Sequence, residues 1–194
     1  LLTPPLNDHL PNAGYIQAYP PGVRENGGQY SHAAVWALMA QAQMGDNDGA
    51  YESFTRLSPA HRSAHASQGP RYQLEPYVMA GDTYTHPPYV GRGGWSWYTG
   101  SASWMHRAAI ESIGGLRVQD QRVCWMPHLP SHWEGMRLQL RRGGCVHDFW
   151  LYRPHATDAI AQALAQGASR HAPGDWIELN SSASDHAYLV ELAA

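Results

Sequence analysis

Residues 99–118 read TGSASWMHRAAIESIGGLRV, and the change of period near their end sets the fold class. From Gly100 to Ile113 the apolar residues Ala102, Trp104, Met105, Ala108, Ala109 and Ile113 recur at helical spacing. Thr99 is placed to cap this helix, and Gly114-Gly115 to stop it. Beyond Leu116 the pattern alternates: Met136, Leu138 and Leu140 are interleaved with Arg137, Gln139 and Arg141. Gly143-Gly144 supplies a turn and Cys145–Tyr152 a return strand, so a hairpin is expected. Val123–Met126, Trp176–Leu179 and Tyr188–Leu192 read as further strands, and residues 157–166 as a short helix.

Upstream the pattern is helical again. His32–Met44, capped by Ser31 and stopped by Gly45, is apolar on nearly all sides, so burial of both faces is expected. Asn47 or Asp48 caps a second helix that runs to Leu57. Residues 1–30 read as ordered loop. Residues 58–98 are rich in Pro and Gly, with one helical segment near Glu75–Met79, and a loop of that length is usually functional. Helices thus precede strands, which makes the chain α+β with two segments, 1–116 and 117–194.

Composition narrows the function. Charged residues are 15% of the 194 and the formal net charge is −3, without the basic face that a nucleic-acid binder needs. All 13 basic residues are Arg. Eight Trp and 11 Tyr stand against two Phe, a bias toward rings with a polar edge. Such rings stack on pyranose faces while their N–H and O–H groups reach hydroxyls, so a carbohydrate site is one reading and plain packing the other. Cys124 and Cys145 are too few for a disulfide framework, and a reducing compartment is expected. There is no apolar run of membrane-spanning length and no signal peptide. The opening Leu1-Leu2-Thr3-Pro4-Pro5 reads as the interior of a longer polypeptide.

Two helix starts carry the chemistry. A helix N-terminus offers free N–H groups and partial positive charge to an oxyanion. At one start His32 follows Ser31 and adds an imidazole; at the other, Thr99 adds a hydroxyl and Gly100 removes a side chain that would block close approach. Either could also be an ordinary cap. Arg24-Glu25 lies in a dense polar loop before the first of these helices, where it could hold sugar hydroxyls by charge-assisted bonds or form a surface ion pair. Residues 91–98 (GRGGWSWY) lack the Lys and spacing of a nucleotide fingerprint and read as a sugar-facing or supporting loop. His61/His65 and His128/His132 are spaced i,i+4 but lack the Glu of a zinc-hydrolase motif, so no metal is expected. No nucleophile elbow is present.

Together, residues 14–34 (GYIQAYPPGVRENGGQYSHAA), 72–78 (YQLEPYV), 91–102 (GRGGWSWYTGSA) and 111–117 (ESIGGLR) resemble family 94 of the glycoside hydrolases, in order and over about residues 1–153. The 80–84 stretch (AGDTY) and the Pro-Pro-Gly loop are most similar to the branch found in cyclic β-1,2-glucan synthases. The resemblance implies the last helices of an (α/α)6 barrel (1–116) followed by an antiparallel β-sandwich (117–194). It implies inverting phosphorolysis of a β-glucan to glucose 1-phosphate, with inorganic phosphate as co-substrate and no cofactor. An inverting hydrolase uses one carboxyl as acid and another as base; phosphate is already an anion and needs no base.

By the same resemblance His32, Thr99 and Gly100 are phosphate contacts, Glu25 a sugar-site carboxylate, and Arg24 and Tyr19 acceptor-subsite residues. Cellobiose phosphorylases of that family carry Lys where this chain has Arg24 and an acidic residue in place of Tyr15, and a phosphate-binding Gln expected near residues 80–82 is replaced by Ala80-Gly81-Asp82, which points away from cellobiose and toward another β-glucan. The catalytic Asp and a phosphate-binding Arg are expected upstream of Leu1; Asp8 does not match the acid's motif. The expected partners are a β-glucan oligosaccharide and the upstream part of the same polypeptide, on the cytoplasmic side of a bacterial inner membrane. The chain alone is expected to be soluble and inactive, with helix faces open to self-association into a homo-oligomer. A free β-oligoglucan phosphorylase and a non-catalytic carbohydrate-binding module are the alternatives.

Overall fold

Ser31 opens a helix as its sequence requires, and the register of that helix sets the core of the first unit. The computed structural model describes residues 4–7, 10–179 and 184–193. They fall into two compact units, Leu1–Ala109 and Ile110–Ala194. Asp8 lies outside the described residues.

The first unit contains α1 (Tyr15–Ala18), β1 (Gln29–Tyr30), α2 (Ser31–Gln43), α3 (Asn47–Leu57), α4 (Pro59–Ala64), α5 (Gly69–Tyr72), β2 (Asp82–Thr83), β3 (Gly93–Gly94) and α6 (Thr99–Arg107). Buried residues of α2 are Ser31, Val35, Leu38 and Ala42, a single stripe at helical spacing. The expected burial of both faces is therefore not found: Trp36 is about half exposed and Met44, which follows the helix, is largely exposed, because neighbours cover only the Val35–Leu38 side. That side meets Met79, Met105 and Ala108, with Phe54, Leu57 and Trp104 at the margin.

Three capping expectations are also corrected. Ser31 and Thr99 are the first helical residues rather than caps; Tyr30 and Tyr98 hold the cap positions and make no side-chain cap bond. Asp46, not Asn47 or Asp48, caps α3, accepting the Gly49 N–H at 3.1 Å. Glu75–Met79 is not helical. The helical turn falls earlier, at Gly69–Tyr72, where Pro lies in its first turn and Gln73 ends it at φ 56°. β1, β2 and β3 form a short antiparallel sheet, pairing Tyr30 with Asp82 and Asp82 with Gly94.

α6 runs on into a π-helical stretch, Ala108–Ile113. The second unit then holds β4 (Leu116–Gln119), β5 (Arg122–Trp125), β6 (Gly135–Arg142), β7 (Cys145–Tyr152), α7 (Thr157–Ala165), β8 (Ser169–His171), β9 (Trp176–Glu178) and β10 (His186–Glu191). The β6–β7 hairpin lies where the alternation puts it, pairing Gly135 with Tyr152 through Arg142 with Cys145. One sheet, β4-β5-β9, is antiparallel. The other, β6-β7-β10-β8, departs from the all-antiparallel expectation, since β10 runs parallel to both β7 and β8. The reason is α7: it carries the chain back after β7, as a parallel pairing demands, and β10 then fills the place between β7 and β8.

Both sheets supply one apolar cluster, Val123, Trp125 and Ile177 from the first and Phe149, Leu151, Tyr188 and Val190 from the second. Phe149 lies 4.8 Å from Tyr188 and 5.1 Å from Trp125, ring centre to ring centre. Burial of a ring of that size contributes about 1.5–3 kcal/mol. Asp148 takes a two-pronged ion pair from Arg137, at 2.9 and 2.5 Å. Cys124 and Cys145 are both buried.

His147 is fully buried beside this core, its Nδ1 3.2 Å from the Tyr188 hydroxyl and its ring stacked 5.5 Å from His186. Burial holds its pKa below the usual imidazole value; the charges of His186 and Arg142 push the same way and Asp185 opposes. Burial lowers His128 likewise, with help from Arg117. The unfolded chain takes these protons near the ordinary value of about 6.5. Stability is therefore complete above that pH and is lost as pH falls through the lower folded values. Thermal unfolding followed by circular dichroism should give a lower Tm near pH 5 than near pH 7.5, as protons bind the unfolded state preferentially. His147→Phe should flatten that dependence; an unchanged slope would remove His147 from the account.

Candidate functional site

Four consecutive residues, Met79 to Asp82, gather the site. The Met79 carbonyl accepts the Tyr98 N–H at 3.1 Å and the Gly81 carbonyl accepts the Ser31 N–H at 2.9 Å. Between them, the Ala80 carbonyl takes the Ser101 hydroxyl at 3.1 Å. Both helix starts, α2 and α6, are thus tied to one backbone segment. Their cap residues also meet, Tyr30 and Tyr98 sharing a hydroxyl–hydroxyl bond of 2.8 Å. That bond, then burial, pushes the Tyr30 pKa up to about 12, so the Tyr30 hydroxyl stays neutral.

The convergence brings three of the predicted residues together. A Cβ placed on Gly100 would lie 3.7 Å from His32 Nδ1. The imidazole is enclosed by rings, with Trp36 at 4.8 Å, Trp104 at 5.8 Å and Tyr30 at 6.2 Å. Thr99 and Gly100 sit at the open mouth and are exposed. The first N–H groups of a helix have no intrahelical acceptor; that of Ser31 goes to Gly81, and those after it lie at two helix starts that Gly100 and His32 bring close together.

Asp82 builds the neighbouring loop. It is buried, and it accepts the Arg24 N–H at 2.7 Å. Burial raises its pKa, the Arg24 N–H bond and charge lower it, and Glu25 raises it again. Arg24 is itself 8% exposed and takes a left-handed backbone, φ 48°. Its guanidinium lies 3.7 Å from the centre of the Trp95 ring, with Tyr98 and Tyr19 at 5.8 and 5.9 Å. Tyr19 is positioned through its carbonyl, which accepts from the buried Asn26 amide at 2.7 Å, and its ring meets the edge of Tyr15. Gly28 is required here, since a Cβ on it would come 2.5 Å from the Arg24 backbone nitrogen.

The electrostatics single out the same residues. Among the described residues, six buried side-chain polar atoms lack a partner, and three of them are Arg24 Nη2, Glu25 Oε2 and His32 Nε2. A buried polar atom left unpaired is costly, and native proteins rarely leave one without a use. A guanidinium, an imidazole and a carboxylate with unpaired polar atoms, beside two helix N-termini, can hold a polyhydroxylated ligand and a tetrahedral anion together. No group of three or more His, Cys, Asp or Glu able to hold a metal occurs among the described residues. A cavity of about 460 Å3 elsewhere in this unit is lined by Ala34, Ala37, Arg56, Arg62, Tyr84 and others, and includes none of the six candidates.

The sequence does not mark Asp82 as a site builder, and it marks Trp95 only as part of the sugar-facing or supporting loop 91–98. Asp82 entered only as a departure from a motif, although a lone acid between Gly81 and Thr83 was the available sign. Trp95 was one ring of an aromatic loop, and nothing local to it indicated that Arg24 would lie on its face.

Residues 1–115 match the model of the glycosyl hydrolase 94 superfamily catalytic domain. Over 147 residues, 76% of this chain, the sequence is 45% identical to the cyclic beta-(1,2)-glucan synthase NdvB of Rhizobium meliloti (strain 1021), covering 5% of that protein. It is 26% identical over 153 residues to the N,N'-diacetylchitobiose phosphorylase of Vibrio furnissii, covering 78% of this chain and 19% of that one. With the solabiose phosphorylase of Paenibacillus borealis it shares 28% over 138 residues, 69% and 17% of the two chains. The chain thus spans a small part of the length of each relative.

Gly100→Ala tests the mouth directly. The added methyl makes an ordinary contact with His32, so stability should change by no more than about 1 kcal/mol. An oxyanion seated between the two helix starts should nonetheless bind more weakly, read by calorimetry with inorganic phosphate as the probe, since the methyl occupies the approach to the helix end. Gly28→Ala should instead cost about 1–3 kcal/mol in thermal or denaturant unfolding, because the clash is with backbone.

Proposed function

The chain belongs to the glycosyl hydrolase 94 superfamily, and on that premise we propose that it forms the phosphate- and sugar-binding part of a glycoside phosphorylase. The substrate is a β-1,2-glucan and the parent protein a cyclic β-1,2-glucan synthase. What carries the reading is the set of unpaired buried atoms Arg24 Nη2, Glu25 Oε2 and His32 Nε2 at two converging helix starts. The 45% identity to NdvB supports the choice of glucan.

In this reading inorganic phosphate sits between the N-termini of α2 and α6, held by the Thr99 hydroxyl, the open Gly100 backbone and His32. One phosphate oxygen attacks the anomeric carbon as the glucosidic C–O bond breaks. A carboxylic acid contributed from elsewhere in the polypeptide gives its proton to the departing oxygen. The products are inverted glucose 1-phosphate and a glucan shorter by one unit. The helix ends stabilise negative charge on phosphate without having to reorganise. Glu25 accepts hydrogen bonds from hydroxyls of the glucose being transferred; Arg24 and Tyr19 receive the leaving glucan. No cofactor takes part.

Residues 1–116 are then the last helices of an (α/α)6 barrel and residues 117–194 a segment of the β-sandwich that follows it. The open side of α2 is covered by the rest of the polypeptide or, in the isolated chain, by self-association. No helix among the described residues is long and apolar enough to cross a membrane; we place the parent protein at the cytoplasmic side of a bacterial inner membrane through other segments. A second reading, a free β-oligoglucan phosphorylase, is favoured by the likeness to the N,N'-diacetylchitobiose and solabiose phosphorylases.

The complete polypeptide, given β-1,2-glucan and phosphate, should release glucose 1-phosphate, and this chain alone should release none. His32→Asn and Thr99→Val should each lower kcat/KM for phosphate by about a hundred-fold, the usual cost of one lost anion contact. Glucan binding that ignores phosphate and survives both changes would identify a binding module instead.

A further inference from the structure

Arg24 and Trp95 form a stack that the fold goes to some length to make. Both adopt left-handed backbone conformations, φ 48° and 57°, which residues with side chains rarely enter. Such strain persists where the surroundings enforce it, and both sides of this stack are enforced from residues 81 and 82. Asp82 accepts the Arg24 N–H at 2.7 Å, and the Trp95 carbonyl accepts the Gly81 N–H at 2.9 Å. The result is a guanidinium lying 3.7 Å above the indole centre, in a residue more than nine-tenths buried, with Nη2 left unpartnered. A planar guanidinium can lie flat on an indole and still direct its N–H groups outward in a fixed fork; an ammonium on a flexible stem cannot.

We infer that Trp95 is a positioning residue for glucan recognition: it fixes the Arg24 guanidinium so that Nη2 points at a sugar hydroxyl. This rests on the sugar site proposed above and adds to it a residue that sets specificity without taking the proton or the phosphate. The other ring contact of the indole among the described residues is an edge with Tyr98 at 6.4 Å, and the Tyr98 hydroxyl stays held by Tyr30 without it, so removal of the indole affects the glucan and spares the anion.

The test is calorimetry on the complete polypeptide, titrating a β-1,2-linked gluco-oligosaccharide and inorganic phosphate separately. Trp95→Ala should weaken the oligosaccharide about ten-fold and leave phosphate within about two-fold. Trp95→Phe, which keeps a π face, should retain affinity within about three-fold of the parent. Trp95→Leu, which keeps bulk without a π face, replaces the alanine variant should that fail to fold. In an Arg24→Ala background, loss of Trp95 should add nothing. Unchanged oligosaccharide affinity, a parallel loss of phosphate affinity, or an equal effect of Trp95→Ala with and without Arg24 would each overturn the inference. A parent protein that binds the oligosaccharide with these responses but forms no glucose 1-phosphate would sink the phosphorylase reading and leave the stack standing. One that binds no oligosaccharide sinks both.

Discussion

The segment from Met79 to Asp82 is the join on which the first unit depends. Four residues use three carbonyls and one carboxylate to receive Tyr98, Ser101, Ser31 and Arg24. Each bond is modest alone, about 0.5–1.5 kcal/mol net. Together they decide where two helices start relative to each other. Helix ends carry unsatisfied donors wherever they lie; only their convergence turns two ordinary ends into one cradle.

The same segment explains why capping is absent where sequence reading expects it. Ser31 and Ser101 are buried, and Ser101 gives its hydroxyl to the Ala80 carbonyl while Ser31 gives its backbone N–H to Gly81. A side-chain cap would have consumed donors at the helix mouth. With Tyr30 and Tyr98 in the cap positions, bonded to each other, no capping side chain takes the donors beyond Ser31. The price in helix stability is offset by the apolar cluster that α2 and α6 share through Val35, Leu38 and Met105.

The second unit follows a different economy. Its stability comes from two sheets converging on Trp125, Phe149 and Tyr188, and its polar content is arranged beside that core. Arg137 and Asp148 pair on neighbouring strands, Arg137 also covering the Trp150 ring at 4.0 Å. The α7 crossover between β7 and β8 makes the larger sheet mixed, a consequence of where the chain must turn back.

Period and punctuation determined much of this by themselves. The α2, α3 and α6 helices, the β6–β7 hairpin and the α7 helix are local decisions: apolar spacing and terminal Gly residues are enough to make them. Arg24, Glu25 and His32 stood out as polar residues before or at a buried helix, and Gly100 as a bare helix start. Tertiary structure alone decided which of these would meet. The Asp82–Arg24 bond spans 58 positions, and the Tyr30–Tyr98 bond spans 68. No local pattern encodes such pairings, because they exist only after loop closure has brought distant backbone together. Caps were misplaced for the same reason: Ser31 is a good cap in isolation, yet Gly81 claims its N–H. The parallel place of β10 and the seat of Arg24 on Trp95 were likewise settled by packing, where the neighbour across space outweighs the neighbour along the chain.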